Sequence, residues 1–197
     1  MLRSLYPIDP MPDWVAALRA SAEPVWIFAY GSLMWNPGFR FAERLPARVY
    51  GYHRSFCLYS FEYRGTCGQP GLALGLNRGG SCRGIAYRLS PATLGTEIDS
   101  LWAREMTGFV YKMTRLRLVT ERGPISGYGF TVRRDSPDYV GRLPCKVAAL
   151  IIAASKGNRG TGREYLMNSV RQLQELGMHD SILYRIVNLV EQSPPPA

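Results

Sequence analysis

Residues 25–39, VWIFAYGSLMWNPGF, constrain this chain more than any other stretch. Val25, Trp26, Ile27 and Phe28 are branched or aromatic, and the run is too short for an ordinary helix, so it reads as a buried strand. The strand breaks at Tyr30-Gly31-Ser32, where a glycine frees the backbone. A buried strand ending in a Gly-Ser turn can present successive backbone N–H groups to an anion, and the Ser32 hydroxyl adds a group that donates or accepts. Pro37-Gly38 closes the segment as a turn. The same pattern alone also describes a core strand followed by an ordinary loop, so the rest of the chain has to decide.

With 197 residues the simplest reading is one domain able to bury a real core. The net charge of +9 comes mainly from arginine, Lys112, Lys146 and Lys156 being the only lysines. The arginines are scattered, which suits a small anionic substrate with carboxylates better than a nucleic-acid surface, so no nucleic-acid partner is expected. Cys57, Cys67, Cys82 and Cys145 form no CxxC pair, and His53 and His179 lie far apart. No metal site is therefore expected, and the cysteines read as reduced and mostly buried. Residues 1–14 lack the apolar core of a signal peptide, and the apolar run at 147–154 is too short to span a bilayer. A cytoplasmic protein with no membrane partner is the expectation; the sequence sets no oligomeric state.

The organisation reads as an N-terminal extension over residues 1–24 with a short helix at 12–18, a domain over 25–192, and a disordered tail at 193–197. The extension is expected beside the first strand. Between Ala47 and Leu89 three short runs, VYGYHRSFCLYS, PGLALGLN and CRGIAYRLS, read as strands. The polar loop between the first two carries Arg64-Gly65-Thr66, and Arg64 is a candidate to hold a carboxylate in a bidentate contact. Strands are expected again at 110–120 and 127–132, and a turn at 135–138 leads to Tyr139, a candidate to offer its hydroxyl to a pocket. Helices follow at 145–154, 163–176 and 181–190. The GNRGTG run at 157–162 lacks the Lys-Ser/Thr ending of a phosphate-binding loop and is not read as a nucleotide site.

The clearest helix runs from Ser90, a potential cap, through Pro91 to Met106. Leu94, Ile98, Leu101 and Trp102 form its apolar stripe, and Glu105 continues that stripe. A carboxylate on a buried face needs a partner, a raised pKa or a task. Arg104 is adjacent, and residues one apart on a helix do not face each other, so a functional Glu105 is the reading preferred.

These pieces resemble the ChaC-like γ-glutamylcyclotransferases, the branch acting on glutathione. The resemblance is carried by Tyr30-Gly31-Ser32-Leu33 with Trp35, by Gly51-Tyr52 with Arg54-Ser55-Phe56, and by Arg64-Gly65-Thr66 with Pro70-Gly71. Gly84-Ile85-Ala86-Tyr87, Arg104-Glu105 before a Gly-aromatic pair, Pro137-Asp138-Tyr139-Val140-Gly141 and Glu164-Tyr165-Leu166 complete it, in the family's order. Tyr63 stands where the family often has histidine, and Phe109 where it has tyrosine. The resemblance implies an α+β fold, a single domain with a small, mixed, partly closed β-barrel flanked by helices. It implies cyclisation of the γ-glutamyl group of glutathione to 5-oxoproline with release of Cys-Gly. It carries the acid/base role onto Glu105 and substrate binding onto Tyr30, Gly31, Ser32 and Leu33, with Arg64 and Tyr139 as further substrate-binding candidates. In the reaction it implies, the nucleophile is the substrate's own α-amine, so no cofactor is expected, which agrees with a chain offering no triad motif and no metal cluster. The alternatives are cyclotransfer on other γ-glutamyl amino acids or amines, and a non-catalytic γ-glutamyl-binding module.

Overall fold

The computed structural model describes residues 7–192. Its chain divides into two compact units, one made of the residues up to His53 with Leu76–Arg133, the other of Arg54–Gly75 with the residues from Arg134 on.

Five strands make a barrel: β1 (Trp26–Ala29), β2 (Phe41–Ser60), β3 (Gly71–Leu89), β4 (Tyr111–Thr120) and β5 (Gly123–Val132). The far end of β2 and the near end of β3 belong to the second unit. The barrel is closed in the order β1-β3-β2-β4-β5. β1 runs antiparallel to β3, Trp26 opposite Arg88 and Ala29 opposite Ile85, and parallel to β5, Ile27 opposite Tyr128. β4 and β5 pair antiparallel from Tyr111–Val132 to Thr120–Gly123. The sheet is thus mixed, as expected.

Sequence pattern explains which faces point inward. All four residues of β1 are buried, the mark of a strand covered on both sides. In β4, Leu116, Leu118 and Thr120 are buried while Arg115, Arg117 and Val119 are exposed, the two-residue alternation of a half-buried strand. Trp26, Phe28, Tyr30, Val49, Leu76, Leu116 and Leu118 fill the barrel core.

The sequence reading splits β3 in two; the structure joins the pieces. Gly79 and Gly80 adopt φ of +103° and +69°, so the backbone bends there without leaving the strand.

The same unit holds α1 (Asp13–Ala17), shorter than expected and followed by a 3-10 turn at Leu18–Ala20, and α2 (Leu94–Glu105). Trp14 stacks on Tyr128 of β5, the strand partner of Ile27. Arg19 pairs with Asp99 of α2 at 2.5 Å. Leu94, Ile98, Leu101 and Trp102 are buried as the stripe predicts, and Glu97 is buried with them. Ser90 does not cap: Pro91 opens a 3-10 turn ahead of α2, and the Ser90 N–H donates to the Arg40 carbonyl at 3.2 Å.

The second unit carries α3 (Cys145–Ala154), α4 (Gly162–Glu175) and α5 (Ser181–Glu191). The glycine-rich run is a hairpin of β6 (Lys156–Gly157) and β7 (Gly160–Thr161). A capping box starts α4: the Glu164 N–H donates to Thr161 Oγ1 at 3.1 Å and the Thr161 N–H to Glu164 Oε2 at 2.7 Å. The Thr161 N–H, together with the Thr161 hydroxyl at 3.0 Å, donates to the charged form and holds the Glu164 carboxyl below its ordinary range. Asp180 caps α5 through the Leu183 N–H at 3.2 Å.

All four cysteines are free thiols; Cys57 and Cys82 are buried, Cys145 half-buried, and Cys67 exposed in a polar loop, so two of the four are buried where most were expected to be. Among the described residues, no helix is long and apolar enough to cross a membrane. The tail expected at 193–197 lies outside the described residues.

Candidate active site

β1 delivers the Tyr30–Ser32 turn at its C-terminal end. Tyr30 is buried, and its hydroxyl donates to the Phe130 carbonyl at 2.7 Å, fixing the ring inside the barrel. Gly31 enters the turn with φ −128°, so the break does not use the left-handed region. Residues Ser32–Met34 form one 3-10 turn, closed by Met34 N–H to the Gly31 carbonyl at 2.9 Å. The N–H groups of Ser32 and Leu33 open that turn and so have no acceptor within it. Leu33 and Met34 are buried beneath, and the Tyr87 hydroxyl donates to the Met34 carbonyl at 3.0 Å.

Glu105 is the last residue of α2, and Met106 leaves the helix with φ −101° and ψ 65°. The Glu105 side chain is 16% exposed and pairs with Arg104, Nε to Oε1 at 3.1 Å. This corrects the reading from helical periodicity that the two neighbours face apart. The periodicity rule describes where Cβ atoms point, whereas the Arg104 guanidinium is drawn across by its other contacts. Its Nη1 donates to the Asn36 and Pro37 carbonyls at 2.8 and 3.0 Å, and its Nη2 to Ser32 Oγ at 3.3 Å. Gly38 makes room: it has φ +70°, and a Cβ there would stand 2.7 Å from Arg104 Nη1.

One chemical consequence follows for Ser32. A guanidinium only donates, so Ser32 Oγ accepts from Arg104 and its own hydrogen is left to be donated elsewhere. Ser32 is thereby set up as a donor and not as a base-activated nucleophile.

Arg64 and Tyr139 belong to the second unit. Arg64 lies over the Tyr165 ring, 4.7 Å from its centroid, donates through Nη1 to the Arg159 carbonyl, and is anchored by its N–H on Ser60 Oγ at 3.1 Å. Burial pulls its pKa below the ordinary arginine value, Tyr165 and Glu164 opposing that. The β6–β7 hairpin braces this loop: Asn158 and Arg159 N–H groups donate to the Glu62 and Tyr63 carbonyls at 2.9 and 3.1 Å. The Arg159 guanidinium covers the Tyr63 ring at 4.5 Å. Tyr139 is half-buried and bridges Leu58 at the end of β2, with its neighbour Asp138 accepting from the Tyr59 N–H at 2.9 Å. Burial raises the Asp138 carboxyl above its usual value.

The structure therefore brings Ser32 and Glu105 together through Arg104 in the first unit and places Arg64 and Tyr139 in the second. Sequence reasoning names Arg104 only as the neighbour of Glu105, and it misses the contacts of Arg104 to the turn and the hairpin brace. The Pro37-Gly38 turn is a signal for those contacts, because the carbonyls of a tight turn need donors from elsewhere.

The family model of ChaC-like proteins matches residues 25–193, a range that includes the turn, Arg64, Glu105 and Tyr139. The chain belongs to the ChaC-like family. This ChaC-like chain is 41% identical over 165 residues to the glutathione-specific γ-glutamylcyclotransferase of Escherichia coli (strain K12), spanning 83% of this chain and 71% of that relative. It is 32% identical over 177 residues to γ-glutamylcyclotransferase 2-3 of Arabidopsis thaliana, spanning 84% and 88%. Its fold is similar to that of a yeast γ-glutamyl cyclotransferase specific to glutathione, with a TM-score of 0.78 at 20% identity over 86% of this chain and 96% of the other. That likeness concerns the ChaC-like fold alone.

Proposed function

We propose that this chain is a glutathione-specific γ-glutamylcyclotransferase with Glu105 as its general acid/base. The observation that carries the catalytic assignment is the Glu105 carboxylate, 16% exposed and joined through Arg104 to Ser32 of the N–H-rich turn. The substrate is taken from the E. coli relative, whose name specifies glutathione.

The chemistry needs no external nucleophile. Glu105 takes a proton from the α-ammonium of bound glutathione, and the freed amine attacks the γ-carbonyl carbon. The new C–N bond closes a five-membered ring and puts charge on the carbonyl oxygen. Collapse of that oxyanion breaks the bond to the cysteine nitrogen, which leaves with a proton returned by Glu105, and the carboxylate so regenerated takes the surplus proton from the ring nitrogen and passes it to the departing amine. 5-Oxoproline and Cys-Gly are the products, and water is not consumed. Holding amine and carbonyl in one bound molecule supplies effective molarities of about 10⁵ M or more, and a shuttling carboxylate adds about 10²–10⁴-fold. The N–H groups of Ser32 and Leu33 and the Ser32 hydroxyl supply donors for the oxyanion or a substrate carboxylate. Arg64 is assigned to a substrate carboxylate, with donors left over from its contact to Arg159. Tyr139 is assigned a substrate contact through its hydroxyl. A cytoplasmic setting, where thiols stay reduced, suits the four free cysteines.

Incubation with glutathione, followed by detection of both products, tests the reaction; γ-glutamyl-alanine in parallel tests the leaving-group preference. Glu105→Gln is expected to fold and bind glutathione while releasing no 5-oxoproline. Near-normal release by that variant removes Glu105 from the mechanism.

A further inference from the structure

We propose that Arg104 is a positioning residue that holds the catalytic carboxylate in register with the substrate-binding turn. The inference rests on the reading of Glu105 just given and adds a role that the carboxylate alone does not explain.

A guanidinium offers five N–H bonds in a rigid plane, so groups bonded to it are fixed relative to one another. Arg104 spends Nη1 on the Asn36 and Pro37 carbonyls, Nη2 on Ser32 Oγ, and Nε on Glu105 Oε1. Three contacts reach the segment after β1, and the fourth reaches the carboxylate at the end of α2. Its side chain is 20% exposed, so these bonds are only partly open to competition from water.

Surface decoration would give a different picture. An exposed ion pair typically involves one partner and wanders. Here the same cation seats two backbone carbonyls, and Gly38 provides space that a Cβ would fill. A lysine cannot reproduce the arrangement, because a compact ammonium lacks the planar fork. The bracket also fixes the polarity of Ser32, whose hydrogen is left for the substrate because its oxygen accepts from Nη2. Loss of Arg104 should thus disturb both ends of the reacting group: the carboxylate that moves the proton and the hydroxyl that donates beside the turn.

The test compares Arg104→Met and Arg104→Lys with wild type in steady-state release of 5-oxoproline, with thermal melting as a fold check and Glu105→Gln in parallel. The Met variant is expected to lose about 10²-fold in kcat, the cost of a small misplacement of a catalytic group, with KM for glutathione changed far less. Added guanidinium ion at non-denaturing concentration should restore part of that kcat, and added ethylammonium should not. The Lys variant should remain well below wild type although its charge is kept. Wild-type kcat in a folded Met or Lys variant overturns the proposal. So does a loss that follows the melting temperature and ignores guanidinium. If the Met variant does not fold, the kcat of the Lys variant decides. Glu105→Gln at full activity would mean that the acid/base reading failed, whatever Arg104 does. A silent Glu105→Gln beside unimpaired Arg104 variants would sink this inference alone.

Discussion

Arg104 Nη2 stands 3.3 Å from Ser32 Oγ, joining residues 72 apart in sequence at the mouth of the turn after β1. The direction of that bond is fixed, since only arginine can be its donor. Ser32 is therefore a hydrogen-bond donor towards anything bound at the turn, and its removal has a graded effect.

Ser32→Ala is expected to lower kcat/KM by about 10²-fold, the usual scale for one donor to a developing oxyanion, while leaving measurable turnover. Complete loss of 5-oxoproline release in a folded Ser32→Ala protein would point instead to a covalent role for the hydroxyl.

Arg64 offers a second prediction, through binding. Its guanidinium carbon lies over the Tyr165 ring, 4.7 Å from the centroid, and the carbonyl of Arg159 holds one end of the fork. Lysine neither stacks in that way nor binds a carboxylate through two parallel bonds. Arg64→Lys should raise KM for glutathione by about tenfold, the scale of one charge-assisted hydrogen bond, and leave kcat within a few-fold. An unchanged KM would remove Arg64 from substrate recognition.

How far the sequence reveals this arrangement depends on the range of the interactions. The strand at 26–29 is legible because the branched and aromatic run from Val25 to Phe28 is too short for a helix, and α3 is legible to the residue from its apolar run. The stripe of α2 is legible from spacing alone. The buried Glu97 on the same helix is not, because a carboxylate gives no apolar signal. The Arg104 bracket depends on carbonyls at Asn36 and Pro37, which only the folded chain brings near. The β6–β7 hairpin escapes because its strands are two residues long and its main partners are the carbonyls of Glu62 and Tyr63. Backbone acceptors carry no side-chain pattern, so contacts to them leave little trace in a sequence.

A stability prediction comes from Arg54 and Asp180. The Arg54 side chain is 3% exposed and meets Asp180 Oδ2 at 3.1 Å, while the other carboxylate oxygen caps α5. Asp180→Ala removes an ion-pair partner of a buried guanidinium together with a helix cap. A loss of about 3–5 kcal/mol in urea unfolding is expected. Asp180→Asn keeps an acceptor for the Leu183 N–H and should lose less. A loss under about 1 kcal/mol for the alanine variant would show that this pair is dispensable.

Cys57 makes a prediction in alkali. Burial pushes its thiol up from 9.0 to about 11, against smaller lowering effects from Ser55, the Gly75 backbone and Arg134. The native state therefore holds this proton more tightly than the unfolded chain does. Above pH 9.0 the unfolded chain begins to release it while the native protein does not, so this contribution to stability falls as pH rises, until the native thiol also ionises near 11. The fall is on the order of 2 kcal/mol, and Cys57→Ala should flatten that part of the stability curve. The same burial predicts selectivity at neutral pH, since the thiolate is the reactive form. Iodoacetamide should label the exposed Cys67 in the native protein and reach Cys57 only after unfolding, as peptide mass mapping would show. Rapid native labelling of Cys57, or an unfolding curve in alkali that Cys57→Ala leaves unaltered, would contradict the burial that both effects require.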